Sequence, residues 1–319
     1  MAVPRLAVPA ALVWLLVAPA VVWAVARTAG LERGSLLVQL TAFTPYAAAL
    51  SAVPLVVALL ARNWWATAVA VVACVALAVG VLPRAFGHSS TGAGNEARLT
   101  VMSVNLRLGL ADAVSIVDLV RTRDVDVLTL QEYTPDAQEA LGTAGLAALL
   151  PYSSRDPIDG AAGSAVYSRL PPSDVALVQG YWFYQARMVV HPGGRAVTVE
   201  SVHPPPPVSQ SGPGWAEALR EQTPASEPGL RVLAGDFNST LDHVELRRLV
   251  NTGYRDAAAT VGAGLVPTWP YYGPRANVTP KVTIDHILVN GSIRVDGFTA
   301  VTVPRTDHRA IIATLYIGP

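Results

Sequence analysis

The sequence predicts an α/β domain, built from two β-sheets that pack face to face with helices outside, and preceded by three transmembrane helices. The first observation is charge: residues 1–88 hold six charged side chains, whereas 18 Lys/Arg and 22 Asp/Glu lie beyond them. The second is periodicity, because short apolar runs rich in β-branched residues recur from Leu99 onward, with helical segments between them. A length of 319 residues suits two such units.

Three apolar stretches open the chain, at residues 6–26, 36–61 and 64–82. Each is long enough to cross a hydrocarbon core of about 30 Å, which takes roughly 20 helical residues. A cleavable signal peptide has a single, shorter apolar region. A buried helical domain in a soluble protein is the alternative, and we favour the membrane anchor. Because no charged residue interrupts a stretch, the pattern indicates an anchor and not a transport pathway.

Three spans place the domain that follows on the side opposite the N-terminus. The positive charges that flank the spans are nearly balanced between the two sides, so charge alone does not decide the orientation. Residues 1–86 therefore form the predicted anchor. Residues 87–97 are small and polar, which is typical of a flexible linker. The remaining residues, 98–319, form the predicted catalytic domain.

Alternating and continuous apolar runs predict the elements of this domain. We expect strands at 99–106, 125–130, 164–167, 188–191, 196–202, 232–234, 283–289, 293–301 and 310–316. We expect helices near 112–123 and 215–222.

Five short polar motifs stand at the ends of these predicted strands. They are centred on Asn105, on Gln131-Glu132, on His203, on Gly235-Asp236-Phe237-Asn238, and on the pair formed by Asp285-His286 and Asp307-His308. Singly they are weak signals, since an Asp after a strand is commonly a turn former or a helix cap. Five of them in a fixed order over about 200 residues are much harder to obtain by chance.

This ordered set resembles the endonuclease/exonuclease/phosphatase superfamily, whose members include DNase-I-like nucleases, abasic-site endonucleases, sphingomyelinases and inositol-polyphosphate phosphatases. The resemblance covers residues 98–318, and Gly-Asp-Phe-Asn and the terminal Asp-His are its most specific elements. It implies a four-layered α/β sandwich with the site at one end of the two sheets. It also implies a hydrolase that acts on phosphate esters with Mg²⁺ or Mn²⁺.

The resemblance implies that Asn105 and Glu132 are metal ligands, and that Asp307 completes the surroundings of the metal directly or through water. Oxygen ligands of this kind suit a hard ion that keeps several waters beside a phosphate. His286 follows the motif residue Asp285, but successive strand residues face opposite sides of a sheet. We therefore place His286 outside the site.

The same resemblance assigns the catalytic side chains. Asp236 orients or deprotonates the attacking water, and Asn238 donates a hydrogen bond to the phosphoryl oxygens. His203 and His308 contact the phosphate or stabilise charge in the transition state. Asp285 pairs with His308, which fixes its tautomer and favours the imidazolium. The roles are chemically consistent, because an anionic ester repels water unless cations neutralise it.

Residues 268–272, Thr-Trp-Pro-Tyr-Tyr, are rich in aromatic side chains. They can line the mouth of the site or pack in the core, and core packing is the commoner role.

Two observations narrow the substrate. Beyond residue 88 the formal charge is −4 with His neutral, and Lys281 is the only lysine, whereas nucleic-acid surfaces cluster Lys and Arg. The predicted tether to a membrane favours a lipid-linked phosphoester, with no protein partner implied. Nucleic acid is a possible but disfavoured substrate, so a surface nuclease is the first alternative. A non-catalytic binding protein is the second, although it predicts a broken motif set and the set here is intact.

In arrangement the chain also resembles actinobacterial membrane proteins of this superfamily with three N-terminal helices, including a teicoplanin-resistance protein. That resemblance implies an integral protein of the bacterial cell membrane with an extracytoplasmic catalytic domain. It implies a polyprenyl pyrophosphate or another envelope phosphate as substrate.

Overall fold

A computed structural model describes residues 8–87, 94–180, 183–208 and 212–318. Its contacts divide the chain into two compact units, Met1–Pro83 with Leu241–Val244, and Arg84–Thr240 with Glu245–Pro319. Part of the predicted first span (residues 6 and 7) and most of the predicted linker (residues 88–93) lie outside the described residues.

The described residues of the first unit form five α-helices: α1 Ala10–Ala29, α2 Gly34–Thr41, α3 Thr44–Leu50, α4 Ala52–Leu60 and α5 Trp64–Val81. Within the part of the chain that the structure describes, two helical segments are long and apolar enough to cross a membrane, Ala10–Ala29 and Trp64–Ala85. The segments Gly34–Thr41 and Thr44–Leu60 meet at a bend of 65° and form a third span only if the bent pair counts as one.

The bend in the second predicted span has a local cause. Pro45 lies in the first turn of α3, and a proline ring clashes with the carbonyl four residues before it, which here belongs to Thr41. The helix therefore ends at Thr41 and starts again at Thr44. The sequence predicted one continuous stretch, 36–61, because hydropathy reports apolar length and not helix continuity.

Close packing holds α1 against α5. Val13 and Val17 are buried with Ala66 and Ala70 in one cluster. Small side chains at such positions let helix backbones approach closely, which is the common way for membrane helices to pack.

The second unit is a sandwich of two six-stranded mixed sheets. The first sheet has the strand order β11-β12-β1-β2-β4-β3, and the second has the order β5-β6-β7-β8-β10-β9. The strands are β1 Ala97–Asn105, β2 Val127–Gln131, β3 Tyr152–Asp156, β4 Ser164–Ser168, β5 Asp174–Gln179, β6 Tyr184–Val190, β7 Val197–Val202, β8 Leu230–Asp236, β9 Arg255–Asp256, β10 Asp285–Val289, β11 Ile293–Thr302 and β12 Arg309–Ile317.

Six helices accompany these strands, and with the two sheets they give the α/β sandwich that the sequence predicts. They are α6 Ala113–Thr122, α7 Pro135–Thr143, α8 Leu146–Leu149, α9 Gly212–Arg220, α10 Val244–Val250 and α11 Ala257–Thr260. One apolar core lies between the sheets and includes Leu99, Val199 and Ile287. A second core lies between the first sheet and helices α6 to α8, around Ile116 and Leu141.

Strand direction explains where the polar motifs gather. In the first sheet β1 runs parallel to β2, with Asn105 opposite Gln131. In the second sheet β7 runs parallel to β8, with Val202 opposite Gly235. Parallel neighbours end at the same edge of a sheet, so each sheet carries two motifs at its carboxyl edge.

Candidate active site

Asn105, at the end of β1, joins the two sheets. Its Nδ2 donates to Glu132 Oε1 at 3.1 Å and to Asp236 Oδ2 at 3.0 Å. Its Oδ1 accepts from the backbone N–H of Arg107 at 2.8 Å. The side chain is fully buried, so the contact places a carboxylate from each sheet on either side of one amide.

Glu132 follows β2 in the left-handed conformation, with φ of 55°, which only a few per cent of non-glycine residues adopt. This backbone turn leaves its carboxylate next to the end of β1. Its Oε2 accepts from the backbone N–H of Leu108 at 2.6 Å. The strain at this position is of the kind that concentrates at functional sites.

Asp236, at the end of β8, is 2% exposed. It lies at the centre of a cluster of polar side chains, which it forms with Asn105, Glu132, His203, Asp285 and His308. The Nε2 of His308 lies 3.6 Å from its Oδ2, and the Nε2 of His203 lies 3.8 Å from the same oxygen. Burial raises the pKa of Asp236 to about 6, although the charge of His308 opposes the rise. A carboxylate with such a pKa can accept a proton near neutral pH.

His308 forms the second half of the cluster. Its Nδ1 lies 3.0 Å and 3.1 Å from the two carboxylate oxygens of Asp285. Burial opposes protonation, but the carboxylates of Asp285 and Asp236 outweigh it and raise the pKa of His308 to about 10. The ring is therefore an imidazolium at neutral pH and supplies a fixed positive charge beside Asp236.

His203 follows β7 and is 6% exposed. Its Nε2 lies 3.9 Å from Glu132 Oε1, and the ring of Phe183 packs against it with centroids 5.7 Å apart. Its Nδ1 is buried and has no hydrogen-bond partner in the part of the chain that the structure describes. The imidazole of His203 thus lies next to the carboxylates of both Glu132 and Asp236.

Asn238 is in the left-handed conformation, with φ of 48°. Its backbone N–H donates to Asp236 Oδ1 at 2.8 Å, and its Nδ2 donates to the carbonyl of Pro204 at 3.0 Å. The side chain predicted to bind phosphoryl oxygens is therefore held on the chain directly after His203.

The carboxylate of Asp307 contacts Trp269 and Arg107. Its Oδ2 accepts from Trp269 Nε1 at 3.0 Å, and its Oδ1 lies 3.7 Å from Arg107 Nε. The guanidinium of Arg107 also stacks over the half-exposed ring of Tyr272, 4.9 Å from its centroid. The aromatic segment 268–272 thus borders the motif residues, a role that its composition alone did not favour.

Three of the buried side chains offer atoms to a metal ion. The ligand atoms of Asp236, Asp285 and His308 all lie within 4.8 Å of one another. Carboxylate oxygens are the ligands that Mg²⁺ and Mn²⁺ favour, so the donor chemistry fits a divalent cation. The ligand set assigned from sequence, Asn105, Glu132 and Asp307, shares no residue with this group, although Asn105 donates a hydrogen bond to Asp236.

Two buried threonines support the backbone of the motif residues and were not predicted from the sequence. Thr268 is buried and its hydroxyl accepts from the backbone of Ile284 and Asp285. Thr306 donates from its hydroxyl to the carbonyl of Asn105 at 2.8 Å. Threonine carries no motif signal of its own, although Thr306 does precede the Asp-His pair.

Comparisons with known proteins identify the family and the fold. The model of the Endonuclease/Exonuclease/phosphatase family matches residues 102–308. A search of curated proteins gives no significant match.

Solved structures share the fold at low identity. A humanized TDP2 from D. rerio is 17% identical with a TM-score of 0.56, and the match covers 68% of this chain and 98% of that one. A family protein from Bacteroides thetaiotaomicron is 18% identical with a TM-score of 0.53 and coverage of 70% and 99%. A protein from Beutenbergia cavernae is 20% identical with a TM-score of 0.54 and coverage of 70% and 72%. Since the family model spans well over half of its length, the chain belongs to the Endonuclease/Exonuclease/phosphatase family.

Proposed function

We propose that this protein is a membrane-tethered, metal-dependent phosphoesterase that hydrolyses a lipid-linked or cell-envelope phosphate ester. One observation carries the proposal: Asp236, with a raised pKa, lies between the cationic His308 and the amide of Asn105. This arrangement pairs a proton acceptor with groups that neutralise negative charge, which hydrolysis of an anionic ester requires.

The residue roles follow from these contacts. Asp236 accepts the proton of the attacking water, because its pKa of about 6 leaves it ionised yet basic at pH 7. His308, protonated and held by Asp285, stabilises the charge on the phosphoryl oxygens. His203 lies near the carboxylates of Asp236 and Glu132. Asn238 supplies an amide donor once its bond to Pro204 exchanges for the substrate.

A divalent cation held at Glu132 and Asn105 would neutralise the phosphate, whereas His308 as an imidazolium has no free ring nitrogen to offer a metal. Asp307 stays a proposed ligand through water, since both of its oxygens already face Trp269 and Arg107. The resemblance to the membrane-anchored teicoplanin-resistance type stays a prediction, as do the orientation and the lipid-linked substrate. The apolar helices Ala10–Ala29 and Trp64–Ala85 support the membrane part.

A nuclease is the second candidate, because one solved structure of the same fold, TDP2 of D. rerio, is complexed with single strand DNA product. The acidic balance beyond residue 88 and the single lysine count against a polyanionic substrate.

The test uses the full chain in lipid nanodiscs with Mg²⁺, Mn²⁺ or EDTA. The substrates are a polyprenyl pyrophosphate, a phospholipid, plasmid DNA and a chromogenic phosphate ester. We expect metal-dependent turnover of a lipid substrate. The turnover should be about a thousandfold lower in Asp236→Asn and His308→Gln, and unchanged in the control His191→Gln. Cleavage of DNA alone would support the nuclease, and no turnover of any substrate would favour a binding protein.

A further inference from the structure

The sequence predicts that His286 lies outside the site, and the proposed reaction does not use it. The residue is 1% exposed and directly follows Asp285. In the β8–β10 ladder it lies opposite Gly235, one position from the pairing of Asp285 with Asp236. Its side chain therefore emerges on the opposite face of the second sheet, directly behind the catalytic pair.

Both ring nitrogens of His286 face acceptors. Nδ1 lies 2.9 Å from the carboxylate oxygen Oδ2 of Asp256, and Nε2 lies 2.8 Å from the carbonyl oxygen of Ser239. Neither acceptor carries a proton to give, so both bonds form only when both nitrogens are protonated.

Asp256 is itself fixed. It is 5% exposed, and its Oδ1 caps helix α11 by accepting from the backbone N–H of Ala259 at 2.7 Å. The imidazolium is thus a rigid link between the start of a helix and the carbonyl of Ser239. The edge of the ring of Phe237 packs against it, with centroids 5.7 Å apart.

The segment held by this link carries the catalytic motif. Ser239 directly follows Asn238, whose left-handed backbone lets its N–H bond Asp236. On the other side, Trp215 Nε1 donates to the carbonyl of Asn238 at 3.2 Å and to the hydroxyl of Ser239 at 3.0 Å. Donors from two separate elements therefore hold consecutive carbonyls of one strained turn.

We propose that His286 is a positioning residue of the active site, which bridges Asp256 to the carbonyl of Ser239 and so holds Asn238 and Asp236 in register for turnover. The inference rests on the proposed phosphoesterase function. A displacement of about 1 Å in catalytic groups can cost roughly a hundredfold in rate, and loss of supporting hydrogen bonds around catalytic ligands typically costs about 10- to 100-fold.

The kinetic test compares His286→Phe, which keeps an aromatic ring and removes both donors, with His286→Gln, which keeps one donor for Ser239. In the full chain with Mn²⁺ and the chromogenic ester, we expect kcat of the Phe variant to fall about 10- to 100-fold. KM should stay within about threefold, because the substrate-contacting groups remain. The kcat of the Gln variant should lie between those of the Phe variant and the wild type. We expect it to recover about a third or more of the loss in log kcat.

The matched control is His191→Gln. His191 follows β6 at the end of the sheet away from His203, since β6 runs antiparallel to β7, and this variant should keep its kcat. A wild-type kcat in the Phe variant overturns the proposal. So does an equal fall in kcat and in the fraction of folded protein, which would indicate a purely structural histidine.

A second readout does not depend on turnover. In full-length protein with ¹⁵N-labelled histidine and asparagine in detergent micelles, His286 should show two protonated ring nitrogens at pH 7. In His286→Phe the amide of Asn238 should shift and lose order, while the amide of Asn251 stays unchanged. An unshifted Asn238 overturns the positioning role even if no substrate is hydrolysed. If wild-type protein hydrolyses nothing but Asn238 responds as expected, the phosphoesterase proposal alone fails.

Discussion

At the scale of single residues, the site depends on charge placed where water is excluded. Asp285 and His308 are 3% and 5% exposed, so the ion pair between them is little screened by solvent. One carboxylate of the second sheet thereby fixes both the orientation and the charge of a histidine from the first. The sequence indicated this pairing through the resemblance, and the distance of 3.0 Å between His308 Nδ1 and Asp285 Oδ1 gives it a physical basis.

The substitution Asp285→Asn should lower the pKa of His308 from about 10 towards the neutral range, because a buried imidazolium then lacks its main counter-charge. A group with a raised folded-state pKa contributes stability that is fully present below its unfolded value of about 6.5 and is lost as the pH rises towards 10. NMR titration of the His308 ring in metal-free protein measures the change. The effect of Asp285 would be refuted by a His308 pKa that is equal in the two proteins.

At the scale of elements, the close approach of β7 and β8 explains the glycine of the Gly-Asp-Phe-Asn motif. A Cβ at Gly235 would overlap the carbonyl oxygen of Val202 on the neighbouring strand. Only glycine lets these two strands end side by side, and that proximity brings His203 to Asp236. The motif glycine is therefore a packing requirement of the strand pair that carries the site.

Gly235→Ala should destabilise the protein by more than about 3 kcal/mol. The added methyl group would overlap backbone atoms of the neighbouring strand, and it fits only if the two strands move apart. Chemical denaturation of the full chain in detergent measures this loss. Gly297→Ala is the control, because its Cβ would meet nothing nearer than Thr314 at 3.9 Å. Comparable stability of both variants would show that the strands can separate freely.

At the scale of the whole catalytic unit, two sheets must meet at one edge for the site to exist. A chain of buried polar groups lies just behind that edge. Gln131 Nε2 donates to the hydroxyl of Ser201 at 2.9 Å, and Ser201 Oγ donates to the carbonyl of Leu130 at 3.0 Å. The link joins β2 to β7 next to Glu132 and His203, so it fixes the separation of the sheets where the chemistry requires it.

Ser201→Ala should cost about 1–3 kcal/mol, because the buried amide of Gln131 then lacks an acceptor. Adding Gln131→Leu should restore part of that stability, since the unpaired Nε2 donor is removed. The recovery should be partial, because the hydroxyl of Ser103 then loses its acceptor, Gln131 Oε1. A double-mutant cycle by urea denaturation measures the coupling. If the two losses simply add, the inter-sheet bond contributes nothing.

The charge of the whole domain yields a further prediction. A duplex-binding protein with several phosphate contacts loses about 10³- to 10⁵-fold in affinity between 50 and 200 mM salt. With a formal charge of −4 beyond residue 88, the protein should show KM values for its lipid substrate that change less than about threefold over that range. Initial rates in nanodiscs at the two salt concentrations provide the measurement. A steep salt dependence would favour the nuclease.

The sequence by itself determined the fold class, the apolar helices and the strand ends that carry polar motifs, because these are written in local periodicity and in short motifs. Its boundaries erred by a few residues, as for β6, predicted at 188–191 and observed at Tyr184–Val190. Pro45 is itself a sequence signal for a break in a helix, but the prediction of one continuous span relied on hydropathy.

Apart from the pair Asp285–His308, which the resemblance implied, only the tertiary structure decided which side chains of the site touch. Asn105 and Asp236 are 131 positions apart in the chain, and Trp269 and Asp307 are 38 apart. Such contacts depend on how two sheets pack, and no local pattern encodes the partner of a side chain across that interface. For the same physical reason the sequence did not predict the hydrogen bonds from His286 to Asp256 and Ser239. In the sequence, His286 is one more residue of a buried strand.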